Sequence, residues 1–252
     1  MYVNLEDHNN YCVISFNTGG KYNLVNIKFM IEFLDTLAEI EKNRSYRFIM
    51  IHGENGNFGA GADIRELLKA SEDKEFAISF FNYMKAMYQK LLNINKITIA
   101  QVNGVAYGAS LEMLLLMDFV IAEESSKFAA PGGKIGVFPP VLVSLGPYII
   151  GLRNVKRLAM LGEEIDSKEA KNIGLIDSYG DIREETNSLV SKLVSFSPTA
   201  LLSMKRLVLS NMSHNLDDAF ESIISQVTSD NAKEGISSFL AKIKPSWTNF
   251  QF

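Results

Sequence analysis

The stretch Asn103-Gly-Val-Ala-Tyr-Gly-Ala-Ser-Leu-Glu-Met113 decides the fold. It follows the apolar run Ile97–Val102, which is typical of a buried strand, and it enters the apolar run Leu111–Met117, which predicts a helix. Small residues at 108–110 form the corner between the two. At such a corner several backbone N–H groups lack an intrahelical partner and point outward from the positive end of the helix dipole. This corner is therefore suited to hold an oxygen on which negative charge develops.

The same order of strand, small-residue loop and helix occurs earlier in the chain. Arg47–His52 predicts a strand, and the Gly/Asn-rich loop 53–61 leads to a helix that begins near Asp63. Two such units predict an α/β fold of stacked strand-helix units. Ala62 and Ala109 each lie at a corner, and two N–H groups that converge on one carbonyl oxygen would form an oxyanion hole.

Glu112 adds a carboxyl group to the second corner. It lies in the first turn of an otherwise apolar helix, three residues after Ala109. Glutamate is rarely buried without a partner or a function. Burial should raise its pKa and the helix N-terminus should lower it, which suits a general base poised near neutral pH. Ordinary tight turns and a helix-capping glutamate remain alternatives on these residues alone.

Other catalytic and binding motifs are incomplete. Gly59-Ala-Gly-Ala-Asp-Ile64 lacks the third glycine of a dinucleotide fingerprint, and no glycine precedes Lys-Ser or Lys-Thr as in a P-loop. The three histidines, His8, His52 and His214, lie at a predicted turn, a strand end and a helix start, so a Ser/His/Asp triad is not expected. No pair of His, Asp or Glu has ligand spacing, so no metal site is expected.

Composition limits the partners and the compartment. The 252 residues are 47% apolar and carry 25 basic and 29 acidic side chains, for a net charge of −4. We therefore expect a globular protein that binds no nucleic acid. Residues 1–10 contain no apolar stretch, and the single Cys12 excludes a disulfide framework, so a cytoplasmic location is expected.

The uncharged segment Ile135–Leu152 could be mistaken for a membrane span. It contains Pro139, Pro140 and Pro147, which would break a spanning helix. We expect it to be a buried irregular segment and expect no membrane association.

Two regions follow from the periodicity. Residues 1–190 form the α/β core, and residues 191–252 form a C-terminal helical region with predicted helices such as Thr199–Ser210 and Asn231–Lys242. No linker separates them. The amphipathic C-terminal helices should pack on their own core or on another subunit.

These motifs resemble the enoyl-CoA hydratase/isomerase (crotonase) superfamily. Phe58-Gly-Ala-Gly-Ala-Asp-Ile-Arg-Glu-Leu67 is similar to its first oxyanion segment and residues 103–113 to its second. Further similarity lies at 128–131, at Ser197-Pro198 with Lys205, and from Glu234-Gly235 to Pro245. The resemblance covers nearly the whole chain. It implies a crotonase (ClpP-like) spiral of repeated ββα units with a C-terminal helical trimerisation region, assembled as a homotrimer or a dimer of trimers.

The resemblance also implies roles for individual residues. The N–H groups of Ala62 and Ala109 would hold the thioester carbonyl, with Glu112 as the catalytic carboxyl. The implied contacts to substrate or coenzyme A (CoA) are Ala60, Asp63, Ile64, Gly108, Gly132, Phe239 and Lys242. Phe239 and Lys242 belong to the tail that the family brings to a neighbouring subunit, with Lys242 facing a phosphate. CoA is part of the substrate, so no separate cofactor is expected.

One departure from the family pattern bears on the reaction. Hydratases of this family carry a second glutamate, and its position is occupied here by Gly132. The leading expectation is hydration of a 2-enoyl-CoA with Glu112 as general base. The stretch Lys134-Ile-Gly-Val-Phe-Pro-Pro140 is similar to hydratases of cyclic dienoyl-CoA. Alternatives are acyl-CoA or ring hydrolysis, isomerisation, or an acyl-CoA-binding paralogue with little catalysis.

Overall fold

A computed structural model describes residues 1–209 and 214–249. The strands in this part of the chain are β1 (Val3–Asp7), β2 (Tyr11–Phe16), β3 (Phe48–Gly53), β4 (Ile97–Val102), β5 (Val105–Tyr107), β6 (Phe119–Ala122), β7 (Lys127–Ala129), β8 (Glu164–Asp166) and β9 (Ser178–Tyr179). The helices are α1 (Ile27–Lys42), α2 (Ile64–Glu72), α3 (Lys74–Asn93), α4 (Ala109–Leu114), α5 (Pro140–Ser144), α6 (Gly146–Ile149), α7 (Gly151–Lys156), α8 (Ser167–Asn172), α9 (Ile182–Leu193), α10 (Pro198–Leu209), α11 (His214–Val227) and α12 (Asp230–Ala241).

Two sheets organise the core. The first has strand order β1-β2-β3-β4-β6-β9 and is parallel except for the antiparallel β1-β2 pair. The second has order β5-β7-β8, parallel in its first pair and antiparallel in its second. The predicted strand-helix units at β3-α2 and β4-α4 are therefore confirmed. Both units end in corners on the same side of the molecule, because a hydrogen-bonded bridge joins Gly59 to Ala106.

Helices α1 and α3 pack together against the first sheet because each presents an apolar face. Phe29 and Phe33 of α1 and Phe80 and Tyr88 of α3 are fully buried in one continuous core. Helix α1 begins where the Asn26 side chain accepts a hydrogen bond from the Phe29 N–H at 2.9 Å, as an N-cap does.

The segment Ile135–Leu152 is buried at Val141, Leu142 and Leu145, as the sequence predicted, but it is not irregular. It contains the short helices α5 and α6 and the start of α7, and Tyr148 and Leu152 are exposed. Pro140 and Pro147 lie in the first turns of α5 and α6, where proline is tolerated because its missing N–H has no helical partner. The prolines thus lie at the starts of short helices, and no long helix runs through this segment. No helix among residues 1–209 and 214–249 is long and apolar enough to cross a membrane.

The C-terminal helices pack on the core of their own chain, which is one of the two arrangements that the sequence predicted. Helix α10 begins at Pro198, α11 packs on α3 and α5, and α12 packs on α2 and on the 3-10 helix Pro131–Ile135. Residue 190 falls within α9, and the division there stays a prediction. Residues 210–213 and 250–252 of the predicted helical region, including the predicted helix end Ser210, lie outside the described residues.

Candidate active site

A cavity of about 630 Å³ lies between the two corners, the 3-10 helix Pro131–Ile135 and the C-terminal helix α12. Its walls are mostly apolar side chains. Eight of the ten predicted site residues border it: Ala60, Ala62, Ile64, Gly108, Ala109, Glu112, Gly132 and Phe239. The structure therefore brings together, at one cavity, most of the predicted site residues, which lie in distant parts of the sequence.

Two glycines allow the corners to touch. Gly61 has φ +92° and Gly108 has φ +50°, both in the region that favours glycine. A Cβ atom on Gly61 would lie 2.9 Å from the Tyr107 carbonyl oxygen and 3.4 Å from the Ala109 nitrogen. Any side chain at residue 61 would therefore push the first corner away from the second.

Ser110 links the two corners by a hydrogen bond. Its Oγ accepts from the Gly61 N–H at 3.2 Å, and Ser110 is only 2% exposed. The hydroxyl fits closely over the first corner, because a Cβ on Gly59 would lie 2.3 Å from Ser110 Oγ. The corners are thus held in one arrangement by backbone contact and by a side chain.

The N–H groups of Ala62 and Ala109 are available to a ligand. Among the described residues, neither N–H donates a hydrogen bond to a protein acceptor. Both residues border the cavity, and no side chain caps the N-terminus of α4. Two donors without a protein acceptor at one cavity are the groups from which an oxyanion hole is built.

Glu112 borders the same cavity and is buried, with 2% of its surface exposed. Its Oε1 accepts hydrogen bonds from the N–H groups of Val141 and, at 3.1 Å, Leu142 in the first turn of α5. Burial raises the pKa of Glu112 to about 8, although the two N–H donors act to lower it. The glutamate therefore does cap a helix, but a helix 29 residues away in sequence from its own position.

Glu112 is the one carboxyl group among the described residues that line the cavity. The other titratable side chains in this lining are Tyr107 and Lys134. Gly132, where the resemblance places the second family glutamate, borders the cavity, and a Cβ there would lie 3.1 Å from the Val137 carbonyl oxygen. No second carboxyl from elsewhere in this lining takes over that position.

Two predicted contacts do not reach the cavity within this chain. Asp63 caps α2, and its carboxylate accepts from the Arg65 N–H at 2.9 Å. Lys242 ends α12 with φ +56° and is exposed to solvent. Phe239, which the resemblance placed at a neighbouring subunit, lines the cavity of its own chain. The tail therefore forms a wall of its own site.

Sequence reasoning missed Tyr88. It lies in the middle of α3, and its hydroxyl donates to the Ala109 carbonyl at 2.8 Å. The one sequence signal was that this tyrosine occupies a helix position that the periodicity predicts to be apolar and buried. That signal does not indicate which carbonyl group the hydroxyl would contact.

The fold defines the class of protein. The chain superposes on an enoyl-CoA hydratase from Bacillus halodurans with a TM-score of 0.88, over 94% of this chain and 100% of that one at 21% identity. This is the crotonase fold, with its C-terminal helical region, as predicted.

The chain belongs to the enoyl-CoA hydratase/isomerase family, whose model matches residues 6–250. A probable enoyl-CoA hydratase from Bacillus subtilis is 29% identical over 243 residues, which cover 89% of this chain and 90% of that relative. A 2,3-dehydroadipyl-CoA hydratase from Escherichia coli is 26% identical over 252 residues, which cover 93% and 94%. The predicted resemblance is confirmed, and the protein is an enzyme of this family.

Proposed function

We propose that the protein adds water to the double bond of a 2-enoyl-CoA, with Glu112 as the group that transfers the proton. One observation carries the proposal. A buried glutamate, the one carboxyl of the described cavity lining, borders the same cavity as Ala62 and Ala109, whose backbone N–H groups have no acceptor among the described residues. Hydration of a conjugated thioester needs these two functions side by side.

The proposed reaction uses each group once. The N–H groups of Ala62 and Ala109 hold the thioester oxygen. The oxygen of water bonds to C3 as its proton passes to the Glu112 carboxylate, and the electrons of the double bond collect on the thioester oxygen as an enolate. The enolate then collapses as C2 takes a proton, returned by Glu112 or by water, and a 3-hydroxyacyl-CoA is released. The product differs from the substrate by one water molecule.

The hydrogen bonds of Glu112 decide which oxygen acts. Oε1 is held by two N–H donors of α5, whereas Oε2 accepts no hydrogen bond from the described part of the chain. We therefore assign proton transfer to Oε2. The pKa of about 8 means that the carboxylate form is the minor one at neutral pH and grows as the pH rises.

The acyl group and the assembly belong to the same proposal. The mostly apolar walls favour an uncharged acyl chain, and a cyclic dienoyl-CoA is included because of the similarity at residues 134–140. A homotrimer or a dimer of trimers is the expected assembly, and the exposed side chains of Met160 and Val208 support burial of apolar surface between subunits. Light scattering of the purified chain tests the subunit number.

The test follows two signals from one reaction mixture. Purified protein is incubated with crotonyl-CoA, a cyclic dienoyl-CoA or 2,3-dehydroadipyl-CoA, and enoyl absorbance and free thiol are recorded separately. Hydration predicts loss of enoyl absorbance without release of thiol. Release of thiol would establish hydrolysis instead, and no change in either signal would leave the acyl-CoA-binding alternative.

Variants of two glutamates assign the catalytic group. Glu112→Gln should abolish most of the absorbance change. Glu66→Gln is the matched control, because Glu66 lies in the first turn of α2, accepts from the Ile27 N–H at 2.9 Å and does not border the cavity. Equal activity of the wild type and Glu112→Gln would refute the assigned role.

A further inference from the structure

Tyr88 connects the oxyanion corner to the rest of the protein. It is fully buried in α3, and its hydroxyl donates to the Ala109 carbonyl at 2.8 Å. Ala109 borders the cavity, and its own N–H has no acceptor among the described residues. Tyr88 itself does not border the cavity, and its hydroxyl reaches the site through the hydrogen bond to the Ala109 carbonyl.

The hydroxyl is not needed to fill space, because the ring of phenylalanine would occupy almost the same volume. A buried hydroxyl also needs a partner, since leaving one unsatisfied is unfavourable. Burial, and then the negative charge of Glu112, raise the pKa of Tyr88 well above its usual value, so the phenol remains a neutral donor. The hydrogen bond to Ala109 is therefore a constant feature of the folded protein.

We propose that Tyr88 is a positioning residue for the oxyanion hole, which it serves by restricting the main-chain conformation at Ala109. The carbonyl and the N–H of Ala109 are joined through one Cα atom, so a hydrogen bond that holds the carbonyl limits rotation of the N–H. An oxyanion donor is effective only when it already points at the place where charge develops. The proposal rests on the proposed function, because it assigns Tyr88 to the same reaction.

The C-terminal region supports this tyrosine from behind. The Phe220 ring of α11 meets the Tyr88 ring edge-on, with ring centres 6.2 Å apart. An ion pair between Lys85 of α3 and Asp217 of α11 joins the same two helices. Docking of α11 on α3 thus holds the Tyr88 ring, and the ring holds the corner.

The experiment removes only the hydroxyl. Tyr88→Phe should lower kcat about tenfold and leave KM within about twofold, because misdirection of a donor affects the transition state more than substrate binding. Tyr46→Phe is the matched control, since Tyr46 is also buried but lies outside the cavity, near the start of β3. It should leave both kinetic constants unchanged, even where either substitution lowers the melting temperature.

A spectroscopic signal separates positioning from a loss of stability. The absorption band of 4-(dimethylamino)cinnamoyl-CoA moves to longer wavelength when hydrogen-bond donors polarise its carbonyl group. The band of the bound probe should shift less in Tyr88→Phe than in the wild type or in Tyr46→Phe. An unchanged kcat and an unchanged band in folded Tyr88→Phe would overturn the proposal.

A second variant covers the case in which Tyr88→Phe does not fold. Phe220→Leu keeps the tyrosine hydroxyl but loosens its ring, and it should lower kcat and the band shift in the same direction by a smaller factor. Unchanged values would overturn the proposal. Failure of the proposed function would look different, because the wild type itself would then fail to hydrate the enoyl-CoA substrates.

Discussion

The two strand-to-helix corners share a backbone design but differ in what they add to it. Each has a glycine with positive φ, Gly61 or Gly108, followed by an alanine whose N–H has no acceptor among the described residues. The first corner leads to α2, whose N-terminus is capped by the Asp63 side chain. The second leads to α4, which has no side-chain cap and carries the buried Glu112 in its first turn.

This difference separates two tasks. The first corner offers one N–H donor, and the Asp63 side chain caps the N-terminus of the helix that follows. The second corner offers a donor and an acid, and the acid is held by the N-terminus of α5 through the Val141 and Leu142 N–H groups. Under the proposed function, stabilisation of the oxyanion is shared between the two corners, whereas proton transfer belongs to the second corner alone.

The largest expected effect contrasts the glutamates of the two corners. Glu112→Gln should lower kcat for hydration by about 10²- to 10⁴-fold, the usual contribution of a general acid–base group. Glu66→Gln in the other helix should change it by less than about twofold, because that side chain only accepts a backbone hydrogen bond outside the cavity. Steady-state kinetics with the preferred enoyl-CoA measure kcat of both variants. Similar losses of kcat in both variants would contradict a special role of Glu112.

Stability should depend on pH through Glu112. Its pKa is raised from 4.5 to about 8 in the folded protein, so between these values the folded state binds a proton that the unfolded chain does not. The free energy of unfolding should therefore fall as the pH rises through this range, by an amount on the order of a few kcal/mol.

Glu112→Gln should lack this dependence, since glutamine resembles the protonated acid. Urea unfolding at pH 5 and pH 9 checks it, and the variant should gain stability relative to the wild type at the higher pH. A difference that is the same at both values would show that the carboxyl does not stay protonated on burial.

Alanine at the two glycines tests which corner is packed more tightly. Gly61→Ala should destabilise the fold by roughly 1–3 kcal/mol, because it combines a strained φ with a Cβ 2.9 Å from the Tyr107 carbonyl oxygen. Gly108→Ala has the strained φ, but its Cβ would meet only the Gly61 Cα at 3.8 Å, so its loss should be smaller. Thermal unfolding ranks the two, and the reverse order would contradict the contact between the corners.

The smallest expected effect concerns the cap of the first corner. Asp63→Ala should destabilise the protein by about 1 kcal/mol through loss of the N-cap of α2. Because Asp63 does not border the cavity, KM for the enoyl-CoA should change little. A large rise in KM without loss of stability would instead support the CoA contact that the family resemblance implies.

The parts of the fold with long apolar periodicity could be predicted from the sequence. The spacing of apolar residues along the sequence indicates which faces are buried in helices α1 and α3 and strands β3 and β4. The small-residue stretches indicate where the chain turns from strand to helix. The second sheet was missed because β5, β7 and β8 are three residues each and gain stability only by pairing with one another. Short strands give too few residues for alternation to be visible.

The site divides in the same way. Glu112 and the two alanines were predictable from the sequence, because an acid within an apolar helix and small residues between a strand and a helix are unusual patterns. Their partners were not predictable, since the Val141 N–H lies 29 residues from Glu112 and the Tyr88 hydroxyl 21 residues from Ala109. Lys242 stays a prediction, because the resemblance placed it at a phosphate of a neighbouring subunit's CoA, and in its own chain it ends a helix at the surface without bordering the cavity.

The pH dependence of kcat/KM for enoyl-CoA hydration tests the central claim most directly, since it reports the ionisation of the essential group in the free enzyme. If Glu112 is the base of the second corner, kcat/KM should rise about tenfold per pH unit at low pH and level off above an inflection near its pKa of about 8. The residual activity of Glu112→Gln should show no such inflection. A wild-type profile that is flat from pH 6 to pH 9, or that falls with rising pH, would contradict the claim.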